Sequence, residues 1–282
     1  MNIHPSAIIS PKAKIGLNVT IGPLCVVEDD VTIGDDCSLA SHAVVKNGTT
    51  LGSGNLVFES AVLGGYPQHT NMPENTGTVR IGSGNTIREN VTIHRALSSD
   101  KDTFVGDNNL LMINTHIAHD CVIGNNIIIT NNAMLGGHVV VEDRAFISGA
   151  VAVHQFCRVG SMAMVGGQAH ITKDVPPFVT VDGLSSLVVG LNTIGLRRSG
   201  SRASDIRILK DAYRVIYRNG LSWNEMLDRL QKEFSDSPAA HFHVALSMTT
   251  RGILSERRLP PGATLKLHRE SGKSQKLQTL VG

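Results

Sequence analysis

Aromatic residues make up only 4% of the sequence, and no run of about 18 apolar residues occurs in it. The first scarcity means that rings cannot fill the core, and the second excludes a membrane-crossing helix. The opening stretch MNIHPSAIISPKAKIG also lacks a charged segment followed by an apolar one, so no secretory signal is expected. Together these absences predict a cytoplasmic protein with no membrane insertion. There are 4 cysteines and no CxxC pair, which argues against a disulfide framework or a cysteine zinc site. What the chain does hold is 28 glycines and abundant Ile and Val, the makings of a core of β-branched side chains in narrow spaces.

Those aliphatic residues recur every six positions. From Ile3 the series runs Ile9, Ile15, Ile21, Val27, Ile33, Leu39, Val45, Leu51, Val57 and Leu63. It resumes at Ile81, Ile87 and Ile93, then continues from Val105 through Leu111, Ile117, Ile123, Ile129, Leu135, Val141, Ile147, Val153, Val159 and Val165 to Ile171. A helix would scatter every sixth residue off any one face, so the period calls for short strands joined by turns. A longer period overlies it: Gly16, Gly34 and Gly52, and likewise Gly106, Gly124 and Gly160, follow anchors at multiples of 18 residues, with Glu142 in the place of one glycine. Three hexads therefore make one turn of a solenoid, a parallel β-helix whose rungs rise about 4.8 Å.

Cys25, Cys37, Cys121 and Cys157 all lie four residues after an anchor, where Ala43, Ala61, Ala133, Ala145, Ala163 and Ala169 also stand, so they read as small corner residues. Residues 64–80 and roughly 95–104 interrupt the rule with polar, Gly and Pro residues and are predicted to protrude as loops bordering a binding site. After Val175-Pro176-Pro177 the signals turn helical. Ile206, Leu209, Tyr213, Ile216 and Tyr217 form a stripe stopped by Asn219-Gly220, Ser222 to Glu225 forms a capping box, and a third helix is expected over 238–250. The organisation read from the sequence is a β-helix over 1–190, an α-helical domain over 191–258 and a flexible tail over 259–282.

Histidines carry the chemistry. Of the 12, His116 and His119 lie in NTHIAHDC, His138 in LGGHVV and His154 in AVHQFC. Stepping by 18 puts His119 beneath Gly137 and Gln155, and Asp120 beneath His138 and Phe156, a polar column suited to the outside of the coil. Three readings fit it: a solvated hydrogen-bonded ladder, a zinc site resembling that of γ-class carbonic anhydrases, and general-base catalysis. No histidine stands directly above another at this interval, which weighs against metal. A carboxylate beside an imidazole, with a glycine N–H near, suits acyl transfer.

The stretches IRENVTIHR, NNLLMINTHIAHDCVIGN, LGGHV, AVHQFC, MVGG and DVPPFV, in this order over residues 1 to about 250, resemble the acyl-acyl carrier protein:UDP-N-acetylglucosamine O-acyltransferase family of lipid A synthesis. The resemblance implies a left-handed β-helix and a homotrimer with the site between subunits. It implies no cofactor, the 3-hydroxyacyl donor riding on the phosphopantetheine of an acyl carrier protein. It makes His119 the base, Asp120 its orienting partner and Gly137 the oxyanion donor. His116, His138, His154, Gln155, Asn192, Arg198, His69 and Asn71 fall at substrate-binding positions, and Gly167 where acyl length is set, its lack of a side chain implying about 14 carbons. The chain departs from the family pattern at His69 and Asn71, where an acidic residue and a lysine are usual, and at Ser185, Ile194 and Ser199. N-acyl transfer to a 3-amino sugar nucleotide therefore stays open beside O-acyl transfer, with a zinc-dependent hydratase as the reading from another class.

The net charge of +2 hides a division: residues 195–282 hold 16 Lys and Arg against 8 Asp and Glu, the rest 10 against 16. Arg197, Arg198, Arg202, Arg207, Lys210, Arg214 and Arg218 open the helical region, a surface expected to steer an acidic carrier protein; no nucleic-acid partner is expected.

Overall fold

The computed structural model describes residues 2–257; the predicted tail over 259–282 lies outside the described residues. Most strands are two residues long, and from Ile21 onward the second of each pair is buried while the first faces out. Ile21, Val27, Ile33, Leu39, Val45, Leu51 and their successors to Ile171 are the buried members, at 3% exposure or less. The six-residue series is thus the inner lining of a prism. Its three faces are sheets of 11, 9 and 8 strands, parallel except for the last strand of the first, in which each strand of the coil pairs with those a full coil away. The architecture is a left-handed parallel β-helix followed by a small helical part.

Turns at the corners carry left-handed backbone at their second residue, with φ between 52° and 62° at Asn18, Asp30, Asp36, Asn90, Asn114, Asp120, Asn126 and Asn132. Asn and Asp tolerate this region because their short side chains hydrogen-bond locally. Prolines stand at the first turn residue in Pro5, Pro11, Pro23 and Pro177, so the coil demands no N–H at that position. All four cysteines are buried and free.

The first interruption forms a loop between strands Val62–Gly65 and Thr78–Ile81, the second between Thr92–His94 and Asp102–Val105. Val79 pairs with Thr49 and Val105 with Ile81, so each insertion returns the chain to the rung it left. After the last coil Val179–Val181 and Val188–Leu191 pair antiparallel and close the sheet. Helices α1 (Thr193–Arg198), α2 (Ala203–Tyr217), α3 (Trp223–Phe234) and α4 (Ala240–Ser247) follow, α3 opened by the expected capping box at Ser222 and Glu225. The third predicted helix is shorter than expected, and α1 was not foreseen in the sequence. A buried cluster of Leu196, Ile206, Leu209, Leu230, Phe234 and Phe242 holds the helices together. Residues beyond α4 return to the β-helix, where Ile253 and Glu256 bridge to Asp174 and Val188.

Candidate active site

The second sheet ends at the corner that carries His119, Gly137 and Gln155 on successive rungs. His138 N–H donates to the His119 carbonyl and Phe156 N–H to that of Gly137, each at 3.0 Å, which fixes the stacking. Asp120 occupies the left-handed turn position, φ 60°, and its Oδ2 lies 2.7 Å from His119 Nδ1. The other ring nitrogen, Nε2, points toward Gly137: a Cβ built on that glycine would sit 2.6 Å from His119 Cε1 and 2.7 Å from Nε2. Gly137 N–H, at the turn position where prolines are tolerated elsewhere, donates to no acceptor among the described residues.

The insertions finish the corner. From the second, Leu97 N–H donates to Asp120 Oδ2 at 3.1 Å, and on the strand that follows it Thr103 Oγ1 accepts from Asp120 N–H at 2.8 Å, so both the carboxylate and the backbone of Asp120 are held. From the first, the His69 ring meets His119 edge-on at 5.8 Å between centroids. The column does lie outside the prism, but His119 is only 7% exposed because these loops cover it. Sequence spacing could not anticipate that cover.

Two further imidazoles flank the base. His138 stacks on Phe156 at 4.5 Å and meets the His119 ring edge-on at 5.2 Å; burial lowers its pKa. His116 Nδ1 is 2.7 Å from Thr92 Oγ1, and burial followed by repulsion from His119 lowers its pKa too. Behind it His94 is buried with Nδ1 unpartnered among the described residues; burial, then His116 and His119, push it down to about 4. Both His94 and His116 are therefore held neutral near pH 7.

A groove of about 420 Å³ runs along the outer face of the second sheet. His116 and His119 stand at one end, Met134 and Ala152 form its floor, His154 and Gln155 its rim, and His170 lines it further along, with Gln68 and His69 reaching in from the first loop. Of the site residues read from the sequence, His116, His119, Gly137, His154, Gln155 and His69 line this groove, while Asp120 and His138 support its wall. Asn71 N–H bonds to His69 Nδ1 at 3.1 Å and so shapes the loop. Asn192 is placed elsewhere: its side chain accepts from Gly195 N–H and donates to the Met162 carbonyl, both at 2.9 Å, capping α1 on the same chain. Arg198 ends that helix, away from the groove. Gly167 stands at the opposite edge of the sheet, on the rung of His170. Thr92, Thr103, the Leu97 N–H and His170 were not found from the sequence: Thr92 stands outside the 18-residue column although it lies in IRENVTIHR, Leu97 and Thr103 come from the second insertion and the strand after it, and His170 belongs to a strand with no motif.

The arrangement offers a base with a spare nitrogen, a carboxylate fixing its tautomer, and a backbone donor beside it. His119, Asp120 and His138 also place one ligand atom each within 4.8 Å of one another, a set whose chemistry could hold zinc. Diagonal neighbours thus meet where the 18-residue column put no two histidines in line.

Comparison with known proteins bears on these options. Residues 12–47 and 102–137 match the bacterial transferase hexapeptide family (six repeats), and residues 174–254 match the second domain of UDP N-acetylglucosamine O-acyltransferase. An acyl-[acyl-carrier-protein]–UDP-N-acetylglucosamine O-acyltransferase of Halorhodospira halophila is 47% identical over 236 residues, 83% of this chain and 92% of that protein. The crystal structure of LpxA, a UDP-N-acetylglucosamine acyltransferase from Bacteroides fragilis, superposes with a TM-score of 0.86 at 39% identity, covering 89% of this chain and 99% of the other. The Francisella novicida UDP-N-acetylglucosamine acyltransferase gives 0.88 at 36% identity, covering 91% and 95%.

Proposed function

The chain belongs to the acyl-[acyl-carrier-protein]–UDP-N-acetylglucosamine O-acyltransferase family, and from that membership we propose that it moves a 3-hydroxyacyl group from an acyl carrier protein to the 3-hydroxyl of UDP-N-acetylglucosamine, the first step of lipid A synthesis. The observation that carries the mechanism is the 2.7 Å contact of His119 Nδ1 with Asp120, which leaves Nε2 as the base beside Gly137.

In the proposed reaction Nε2 takes the proton of the sugar hydroxyl as its oxygen attacks the thioester carbonyl. The oxyanion is met by the Gly137 N–H, and the imidazolium is stabilised by Asp120. Collapse of the intermediate breaks the carbon–sulfur bond, and the leaving thiolate takes the proton back from Nε2. No cofactor enters these steps. His69, at 5.8 Å from His119, and Asn71 would frame the acceptor, with His116, His138, His154 and Gln155 along the groove.

A homotrimer is part of the proposal. Leu110, Ile128, Phe146 and Met164 make one outward apolar column on the first sheet, with Leu56 beyond an intervening Thr86, and Phe104 and Val122 make another on the third, with Phe104 and Val122 at 41% and 43% exposure. Such columns suit subunit contacts. Asn192 and Arg198, remote from their own groove, would then serve a neighbouring one. No described helix is long and apolar enough to cross a membrane, in keeping with work in the cytoplasm. The carrier protein would dock on Arg197, Arg198, Arg207 and Lys210, which form no ion pair among the described residues; Arg202, Arg214 and Arg218 pair with Asp205, Asp211 and Glu256.

The test is incubation of the purified protein with 3-hydroxyacyl carrier protein and either UDP-N-acetylglucosamine or its 3-amino analogue, with products weighed by mass spectrometry. An ester product that survives EDTA treatment of the enzyme is expected. Exclusive amide formation would move the acceptor to the amino sugar, and loss of activity to EDTA restored by zinc would favour a metal mechanism at His119, Asp120 and His138.

A further inference from the structure

The first insertion carries Gln68 and His69 into the groove, yet the group that fixes its root lies outside the groove. Arg95 follows the strand Thr92–His94 and is buried, at 5% exposure. Its backbone N–H donates to the Gly65 carbonyl at 2.9 Å, its Nε donates to the Gly64 carbonyl at 3.1 Å, and its Nη2 donates to the Asn47 carbonyl. The guanidinium carbon stands over the Tyr66 ring, 4.6 Å from its centroid. No carboxylate lies within ion-pair distance of this cation among the described residues. Glu28 is one group removed, accepting from the Asn47 N–H at 3.0 Å and pairing with Lys46.

A buried guanidinium without a carboxylate is costly, so its position is set by the groups that do satisfy it, two carbonyls and a ring face. Two of the three, Gly64 and Tyr66, are the exit of the first insertion. Pro67 then restricts the backbone on both sides of itself, so the placement of Tyr66 carries on to Gln68 and His69 with little slack. The residues after Arg95 extend the tie. Gly77 N–H, on the returning leg of the insertion, donates to the Ala96 carbonyl at 2.9 Å, and Ala96 N–H donates to the Thr78 carbonyl at 3.2 Å. Leu97 N–H then reaches Asp120, the carboxylate that orients His119. Residues 95–97 thus grip both ends of the insertion and the partner of the base.

We infer that Arg95 is a positioning residue for the acceptor: by clamping Gly64 and Tyr66 it sets Gln68 and His69 against the sugar nucleotide without touching substrate itself. The inference rests on the proposed acyl transfer, in which the first insertion frames the acceptor, and deepens it. Lysine should not substitute, because one ammonium cannot donate to both carbonyls and lie flat on the ring at once.

The experiment measures kcat, KM for UDP-N-acetylglucosamine and KM for the 3-hydroxyacyl carrier protein in the intact enzyme, Arg95→Lys, Tyr66→Ala and Tyr66→Phe, with melting followed by circular dichroism. Tyr66 is 59% exposed, so Tyr66→Ala takes the ring from the clamp without opening the core, and it decides the matter should Arg95→Lys fail to fold. Arg95→Lys and Tyr66→Ala should raise KM for the sugar nucleotide about tenfold and leave KM for the carrier protein within about twofold, the pattern of lost binding to one substrate. Tyr66→Phe keeps the ring and should match the intact enzyme. A sugar-nucleotide KM within about twofold of the parent in Tyr66→Ala, or equal rises in both KM values, overturns the clamp while acyl transfer itself stands. A rise in Tyr66→Phe equal to that in Tyr66→Ala would assign the effect to the hydroxyl and overturn it as well. No transfer by the intact enzyme would instead overturn the proposed function, and this inference with it.

Discussion

At the scale of single residues, the corner makes sharp demands. Removing the imidazole in His119→Ala should cost at least ~100-fold in kcat with little change in thermal stability, the usual range for a general base. Gly137 offers a cleaner probe, because its backbone is not left-handed and an alanine fits there in every respect but one: the added Cβ would stand 2.6 Å from His119 Cε1. Gly137→Ala should therefore turn the base aside and lower kcat by a comparable factor while the protein melts within a few degrees of the parent, as circular dichroism would register. His94 makes a separate prediction about stability. Its folded pKa of about 4 lies below the ordinary 6.5, so the unfolded chain binds more protons between these values and stability must fall as pH drops through that window. The loss between pH 7 and pH 5 should be about 2 kcal/mol, and urea titrations should find it reduced in His94→Phe.

Elements were legible to the degree that the hexad phase survives, and it survives from Ile3 to Ile171, slipping by two residues only in the last coil, where Val181 pairs with Val165. Leu63 is followed by Ile81, and Ile93 by Val105, in unbroken six-residue phase, each insertion handing the chain from the second sheet to the third, the next face of the prism. The corner residues His119, Asp120 and Gly137 followed from that arithmetic. What it missed came from outside the column: the loops that bury His119, the diagonal approach of His138 to Asp120, and the α1 cap that engages Asn192. Also unforeseen is a buried asparagine ladder at the small-residue corner, where Asn85 N–H and Nδ2 donate to Asn55 Oδ1, and Asn85 Oδ1 accepts from Asn109 N–H at 2.9 Å. Asparagine at this otherwise apolar corner replaces volume with hydrogen bonds that tie the coils flanking both insertions. Asn85→Ala would strand the Asn109 N–H, take from Asn55 Oδ1 one of its two donors and open a cavity, and should destabilise the protein by about 2–4 kcal/mol in chemical denaturation. Asn85→Asp, which keeps the acceptor oxygen but brings a buried charge, should not rescue it.

Over the whole molecule, charge is divided along the chain, and the structure decides which part of that division is available to a partner. Of the basic residues opening the helical region, Arg202, Arg214 and Arg218 are engaged by their own acids, so the field toward solvent is set by Arg197, Arg198, Arg207 and Lys210. A cleft of about 340 Å³ between α1 and α2 is lined by Arg197, Arg207 and Lys210, bringing three of the four to one place. Exposed charges act at long range only when salt is dilute, since the screening length is about 10 Å at 0.1 M and shortens as salt rises. A carrier protein steered by this surface should associate more slowly at high ionic strength, while the sugar acceptor, held in the groove by local contacts, should be much less affected. Raising salt from about 50 to 500 mM should increase KM for the acyl carrier protein severalfold and leave KM for the sugar nucleotide within about twofold. The double variant Arg207→Ala/Lys210→Ala should start with the raised KM and lose most of the salt dependence. An unchanged KM for the carrier protein across that salt range would mean that docking does not use this face, and the paired variant would then show no effect at either salt concentration.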